Sequence, residues 1–382
     1  MTDVAATAQF HAPDAVRDAI DGLGRTEDVR FSPSGRRLAI ACYGTDRIAV
    51  ADVELDNGSE ELRVALTGIA LHQPVGLREP HGIDFVDEDT LAVANRAGGV
   101  VVLRLPGDGS GEITSVGPAD GDGLLDSPGS IAVLPVESGE HEVLTCNNWT
   151  STITRHTLVA RTSLADGRII VRKRLDLPDG LALSSDARWL AVSNHNSHTV
   201  LVYAYDSAGE ETEPVGVLRG AMYPHGLRFA DDDRLLLVAD AGAPFVHVYE
   251  ANGDWRGARF PVAAIPVMDE DTFALGHRTP EEGGPKGLDV EPRAGVLVVT
   301  SEQQPLAFFD LRTAIPGERS PELDDALVRY ELDLLSQADE FKAKAEKDVA
   351  TARAQLAEVL ATKAWRLTAP VRRLNAVLHR RS

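Results

Sequence analysis

The chain has 382 residues and a formal charge of −21, from 59 acidic against 38 basic side chains, and only two cysteines. So acidic a balance excludes a general nucleic-acid-binding surface, and two cysteines exclude a disulfide framework, leaving Cys42 and Cys146 as structural thiols. The start, MTDVAATAQFHAPDAVRD, lacks a signal-peptide apolar core and no stretch reaches membrane-spanning length, so a cytoplasmic location is expected, peripheral at a membrane if the C-terminal segment docks there.

Residues 1–26 form a weakly patterned N-terminal segment, in which Pro13 opens a short helix that Gly22 and Gly24 end. From residue 27 onward one unit recurs. Its fullest copy, residues 177–203, reads LPDGLALSSDARWLAVSNHNSHTVLVY: a Pro-x-Gly turn, an alternating strand, a polar turn, a second strand, another turn and a third strand. Aligning the residue before each first strand with the one that ends the second pairs Glu27 with Cys42, His81 with Asn95 and Gly129 with Asn147. The same alignment pairs Asp179 with Asn194, His225 with Asp240 and Lys286 with Ser301. Successive units are 54, 48, 50, 46 and 61 residues apart.

Six copies at a period near fifty predict an all-β fold, a six-bladed β-propeller over residues 27–335. RFPVA, residues 259–263, reads as the fourth strand of blade 5, and an Asp-, Glu-, Gly- and Pro-rich insertion at 268–284 accounts for the longest pitch. In blade 6 the alternation of Val328, Tyr330, Leu332 and Leu334 predicts a fourth strand. Every blade then owns four strands, and the ring closes by side-chain packing between blades 1 and 6, helped by residues 1–26.

At Ser336 the period changes. Phe341, Ala345, Val349, Ala352, Leu356 and Leu360 recur at helical steps, predicting a C-terminal amphipathic α-helix. It docks on the propeller, pairs with a second copy as a coiled coil, or binds another protein. Residues 361–382 hold six basic and no acidic side chains, leaving −27 on residues 1–360. Arginines mixed with Trp365, Leu367, Val371 and Leu374 suit an anionic membrane surface or a complementary protein groove. The organisation is therefore an N-terminal segment (1–26), a propeller (27–335), and a helix with a basic tail (336–382).

The repeats, with AVSNHNSHTVLVY in blade 4 and the Pro-x-Gly turns, resemble those of the NHL and YVTN propeller families and of the related lactonase and gluconolactonase propellers, over about four fifths of the chain. That resemblance implies the propeller and admits both hydrolases and binding modules. The segment AWRLTAPVRRL, residues 364–374, is similar to the tails of many bacterial glycosyltransferases and other surface-polysaccharide proteins.

Both aligned residue sets belong at one rim of the channel, which makes that mouth the expected ligand site. Its expected ligand-binding residues are His81, Asn95, Arg96, Asn147, Trp149, Asp179, Asn194, His195, His225, Asp240 and Lys286, with Tyr43 in the wall and 268–284 as a lid. Three readings stand. Glu27, Asn147, Asn194 and Asp240 offer hard oxygen ligands for calcium or another divalent cation, similar to the Glu, Asn, Asp set of gluconolactonase-type propellers, which implies a lactone or ester hydrolase. Alternatively His81 or His225 is a metal-free general base, with Arg96 or Lys286 steadying an oxyanion. In the third reading the mouth binds a small polar ligand or peptide without chemistry, as a scaffolding protein beside surface-polysaccharide assembly. The sequence by itself puts the third first.

Overall fold

The computed structural model describes residues 7–56, 61–106, 114–119 (backbone), 123–136 and 139–315, together with Lys344, Lys347, Thr351 and Gln355, which are helical and exposed. The remainder of the predicted C-terminal helix, the basic tail and the strand expected at 328–334 lie outside the described residues. The chain divides into two compact units, Met1–Leu327 and Val328–Ser382. Among the described residues no helix is long and apolar enough to cross a membrane.

The first unit is a six-bladed β-propeller of six sheets, each built around antiparallel strands. Their innermost strands are Thr26–Phe31, Pro80–Asp87, Pro128–Pro135, Pro178–Leu183, Pro224–Ala230 and Gly287–Glu291. The middle strands are nearly continuous apolar runs, as in Arg37–Cys42 and Leu235–Asp240, because both faces of a blade are covered by its neighbours. Between blades 4 and 5, for example, Trp189, Val202, Leu236 and Tyr249 share one buried cluster.

The third residue of the Pro-x-Gly turn has a steric cause. A Cβ built at Gly180 would lie 2.1 Å from the carbonyl oxygen of His225 in the next blade, one at Gly226 would lie 2.7 Å from that of Lys286, and one at Gly82 would lie 2.5 Å from the Cα of Ser130. Inner strands of adjacent blades approach so closely that only hydrogen fits there. Side chains then stitch them together. Asp28, Asp84 and Asp289 accept the backbone N–H groups of Ile83 (3.0 Å), Val133 (2.7 Å) and Phe31 (2.8 Å) in the following blades.

Ring closure differs from the expectation. Blade 6 draws its outer strand from the N-terminus: Thr7–Ala8 pairs antiparallel with Ala307–Asp310, matching Thr7 with Phe309. Two residues later Phe10–His11 pairs in parallel with Arg63–His72 as a fifth strand of blade 1. The outer edge of Ala307–Asp310 is thus taken by chain from the other terminus, and backbone hydrogen bonds, not packing alone, join blades 6 and 1. Phe10 stacks edge-on against Phe308 at 5.7 Å, and the helix Asp14–Asp21 buries Val16 and Ile20 in the same cluster. RFPVA is also divided: Gly257–Arg259 adds in parallel to the edge of blade 4, and Ala263–Pro266 completes blade 5. Both cysteines are free and buried, and burial pushes the Cys42 thiol up to about 12.

Candidate active site at the channel mouth

In five blades the inner strand carries a bulge just after its first residue, between Thr26 and Asp28, Pro80 and Ile83, Pro128 and Ser130, Pro178 and Gly180, and Pro224 and Leu227. A bulge re-aims the extra side chain out of the ladder. The bulged residues include Glu27, His81, Gly129, Asp179 and His225, and around the mouth they form a compact centre.

Both imidazoles point Nε2 at one atom: Glu27 Oε2 is 3.4 Å from His81 Nε2 and 3.4 Å from His225 Nε2. His225 Nε2 also lies 3.3 Å from Asp179 Oδ2, and the two imidazoles stack at 5.2 Å. His81 Nδ1 donates to the carbonyl of Gly129 at 2.5 Å, which fixes its tautomer with Nε2 free of a proton. Arg96 Nη2 donates to Asp179 Oδ1 at 2.6 Å and to His81 Nε2 at 3.0 Å. Asn148 donates to Asp179 at 2.9 Å. Gly129 has no side chain because a Cβ there would lie 2.3 Å from Asn148 Oδ1 and 2.8 Å from Asp179 Oδ1. Three polar atoms in this neighbourhood are buried without a partner: Glu27 Oε2, Asn148 Oδ1 and His195 Nδ1.

Burial governs the proton states. It holds His81 down to about 4 and His225 to about 3, with Arg96 acting alongside it on the first and Lys286 on the second, and it lowers His195 as well. All three are neutral imidazoles at neutral pH. Burial works against the charges of Glu27 and Asp179, yet Lys286 chiefly holds Glu27 below the usual carboxylate range, and Arg96 chiefly does so for Asp179. Below the centre Asp28 and Asp84 are pushed up to about 6 by burial, against the opposing charge of Arg30 at 3.3 and 3.6 Å.

The ends of the second strands do a different job. Asn95 Oδ1 accepts from Arg78 N at 3.3 Å, Asn147 Oδ1 from Asp126 N at 2.9 Å, Asn194 Oδ1 from Asp176 N at 2.7 Å, and Asp240 Oδ2 from Met222 N at 2.7 Å. Each donor lies two residues before the blade's proline, so one turn cap is repeated in four blades. Asp240 accepts further from Tyr223 N (2.9 Å), Gly242 N (3.1 Å) and His247 Nε2 (2.9 Å). Asn147 and Asn194 spend their amide N–H groups inside their own blades. The oxygen set Glu27, Asn147, Asn194 and Asp240 is therefore not assembled, and its residues do not fit a calcium site: three of the four are committed to holding turns.

Of the other expected residues, His195 packs on Tyr223 at 5.1 Å with Nδ1 4.0 Å from Asp179 Oδ2. Lys286 pairs with Glu282 at 2.9 Å. Tyr43 lies edge-on to His81 at 6.1 Å, whereas Trp149 is 71% exposed. The insertion does reach this rim, since Gly284 N donates to Ala241 O at 2.9 Å and Glu282 bridges Lys286 and Arg25, the latter at 3.2 Å. Its short helix, Glu270–Gly276, is capped by Asp269. Sequence reasoning missed Arg25, which binds Glu27 Oε1, as well as Asn148, Tyr223 and Glu282. Arg25 and Asn148 each neighbour a residue that the repeat does single out, which was their only signal.

No protein-family model and no curated protein matches the chain. Among solved structures, a candidate gluconolactonase aligns with a TM-score of 0.50 at 18% identity, covering 78% of this chain and 92% of its own. A luciferin-regenerating enzyme aligns with a TM-score of 0.49 at 13% identity, covering 75% and 91%. The first of these shares the fold of this chain's propeller.

Proposed function

We propose that the protein is a hydrolase of lactone or ester carbonyls, working at the channel mouth. One observation carries this reading: two carboxylates and three imidazoles are buried together, each carboxylate within 4.0 Å of at least two of the imidazoles, with three polar atoms left unpartnered. A fold does not pay such desolvation for rigidity when an apolar channel would serve. The gluconolactonase-like neighbour offers a fold in which such a site is at home and no more. The non-catalytic binding role that the sequence favours asks only for polar contacts, and leaves the matched acids and imidazoles without a task.

The side chains divide the work by position. Arg96, whose side chain is 20% exposed, holds Asp179 and presents its remaining N–H groups at the mouth, where a carbonyl oxygen gaining negative charge is stabilised. His195, neutral and with Nδ1 unpartnered, takes a proton from the attacking water, Asp179 at 4.0 Å steadies the imidazolium that results, and the proton passes to the leaving oxygen as its bond to the acyl carbon breaks. Lys286, held by Glu282, adds positive potential at the same rim.

The test follows ring opening of five- and six-membered lactones, and hydrolysis of aryl esters, by pH-stat. The wild type is expected to turn over at least one class, and Arg96→Gln to lose about 100-fold in kcat. Absence of turnover across the panel, or full activity in Arg96→Gln, contradicts the reading.

A further inference from the structure

The oxygen-rich cation site implied by the resemblance is missing, yet a different donor set stands a few ångströms away. We infer that Glu27, His81 and His225 bind one divalent transition-metal ion of the zinc class rather than calcium. Among the described residues this is the one group of three such side chains whose ligand atoms all lie within 4.8 Å of one another. Imidazole nitrogens with one carboxylate select borderline ions such as zinc or cobalt, whereas calcium requires six or more oxygens.

Four observations converge on this set. Glu27 Oε2 is fully buried and has no hydrogen-bond partner, the state of an oxygen that awaits a cation. Both Nε2 atoms face that oxygen at 3.4 Å. The outer supports of a metal site are already built: His81 donates Nδ1–H to a backbone carbonyl, and Arg25 fixes the other oxygen of Glu27. The channel beneath leaves about 10 Å³ of open space, on the scale of a single water or ion.

Arg96 sets the terms of occupancy. Its Nη2 draws on the same His81 lone pair at 3.0 Å, so the guanidinium competes with an ion for that ligand, while its 2.6 Å bond to Asp179 can persist. Removing Arg96 frees His81 and removes a positive charge from the centre.

The inference goes beyond the hydrolase reading and is tested without substrate. Titration of the metal-free protein with Co²⁺, followed by its visible absorption and by calorimetry with Zn²⁺, is expected to give one saturable equivalent that millimolar Ca²⁺ does not displace. Glu27→Gln and His225→Gln should abolish it while retaining the wild-type circular dichroism spectrum, and Arg96→Gln should tighten it about tenfold or more. No saturable binding, binding unchanged in folded Glu27→Gln, or equal competition by Ca²⁺ overturns the inference. The lactone panel reads the hydrolase reading separately, so that either can fail alone.

Discussion

His195 keeps an unpartnered Nδ1 at 4.0 Å from the Asp179 carboxylate. Replacing it by glutamine is expected to lower kcat by about 100-fold or more while leaving the thermal midpoint unchanged, a split that a packing role would not produce. The two deeper imidazoles have a signature in pH. In the unfolded chain they titrate near 6.5, whereas in the fold His81 is held at about 4 and His225 at about 3. As pH falls below about 6.5 the unfolded chain takes up protons first, so stability drops until the folded values are passed. Glu27 and Asp179 act in the same direction below about pH 4, and Asp28 and Asp84, pushed up to about 6, oppose it between about 4 and 6. Comparison with a variant isolates one group. The stability advantage of wild type over His225→Gln in urea should shrink by about 1 kcal/mol per pH unit from 6.5 to 5.5. An advantage constant over that range contradicts a neutral buried His225.

At the scale of the strand and turn, each Pro-x-Gly element combines three tasks: the proline starts the inner strand, the bulged residue aims into the channel, and the glycine admits the next blade. Gly180→Ala forces a Cβ to within 2.1 Å of the His225 carbonyl, so the blade 4 and 5 strands must separate. A loss of about 2–4 kcal/mol is expected in chemical denaturation, and an unchanged midpoint would mean that the inner strands are less tightly apposed than described. The repeat itself was legible in the sequence because prolines, glycines and alternating apolar residues are local signals. The inner ring was legible for the same reason, since Glu27, His81, Gly129, Asp179, His225 and Lys286 hold equivalent repeat positions. The role of the strand-end residues was not. An asparagine such as Asn194 reads alike whether its amide faces a ligand or the N–H of Asp176, and only the three-dimensional path of the preceding turn decides. The two-residue strands at Thr7–Ala8 and Phe10–His11 carried too little alternation to be seen, and their partners lie about 300 and 54 residues away.

At the scale of the whole molecule, closure by the N-terminus ties the first residues of the propeller to the last. Deleting residues 1–11 removes both added strands and exposes Phe308 and Val64, so the melting temperature should fall well below that of the full chain; an unchanged melt would show that side-chain packing closes the ring. For residues 336–382 we propose an interaction role, based on their sequence pattern. Their removal should leave the propeller's melt unchanged and abolish self-association in sedimentation or retention on anionic vesicles.

The central claim is a division of labour, in which the ring of side chains at the mouth, Asp179 with Arg96 and His195, carries the chemistry and the strand-end Asn and Asp carry the fold. It is tested most directly by measuring melting temperature and lactone hydrolysis side by side for Asp179→Asn and His195→Gln against Asn194→Ala and Asp240→Asn. The account predicts that the ring variants lose activity by 100-fold or more while melting near wild type, and that the cap variants lose about 1–3 kcal/mol of stability while the protein that remains folded stays active. Ring variants that keep full activity, or cap variants that melt like wild type and are inactive, would contradict it.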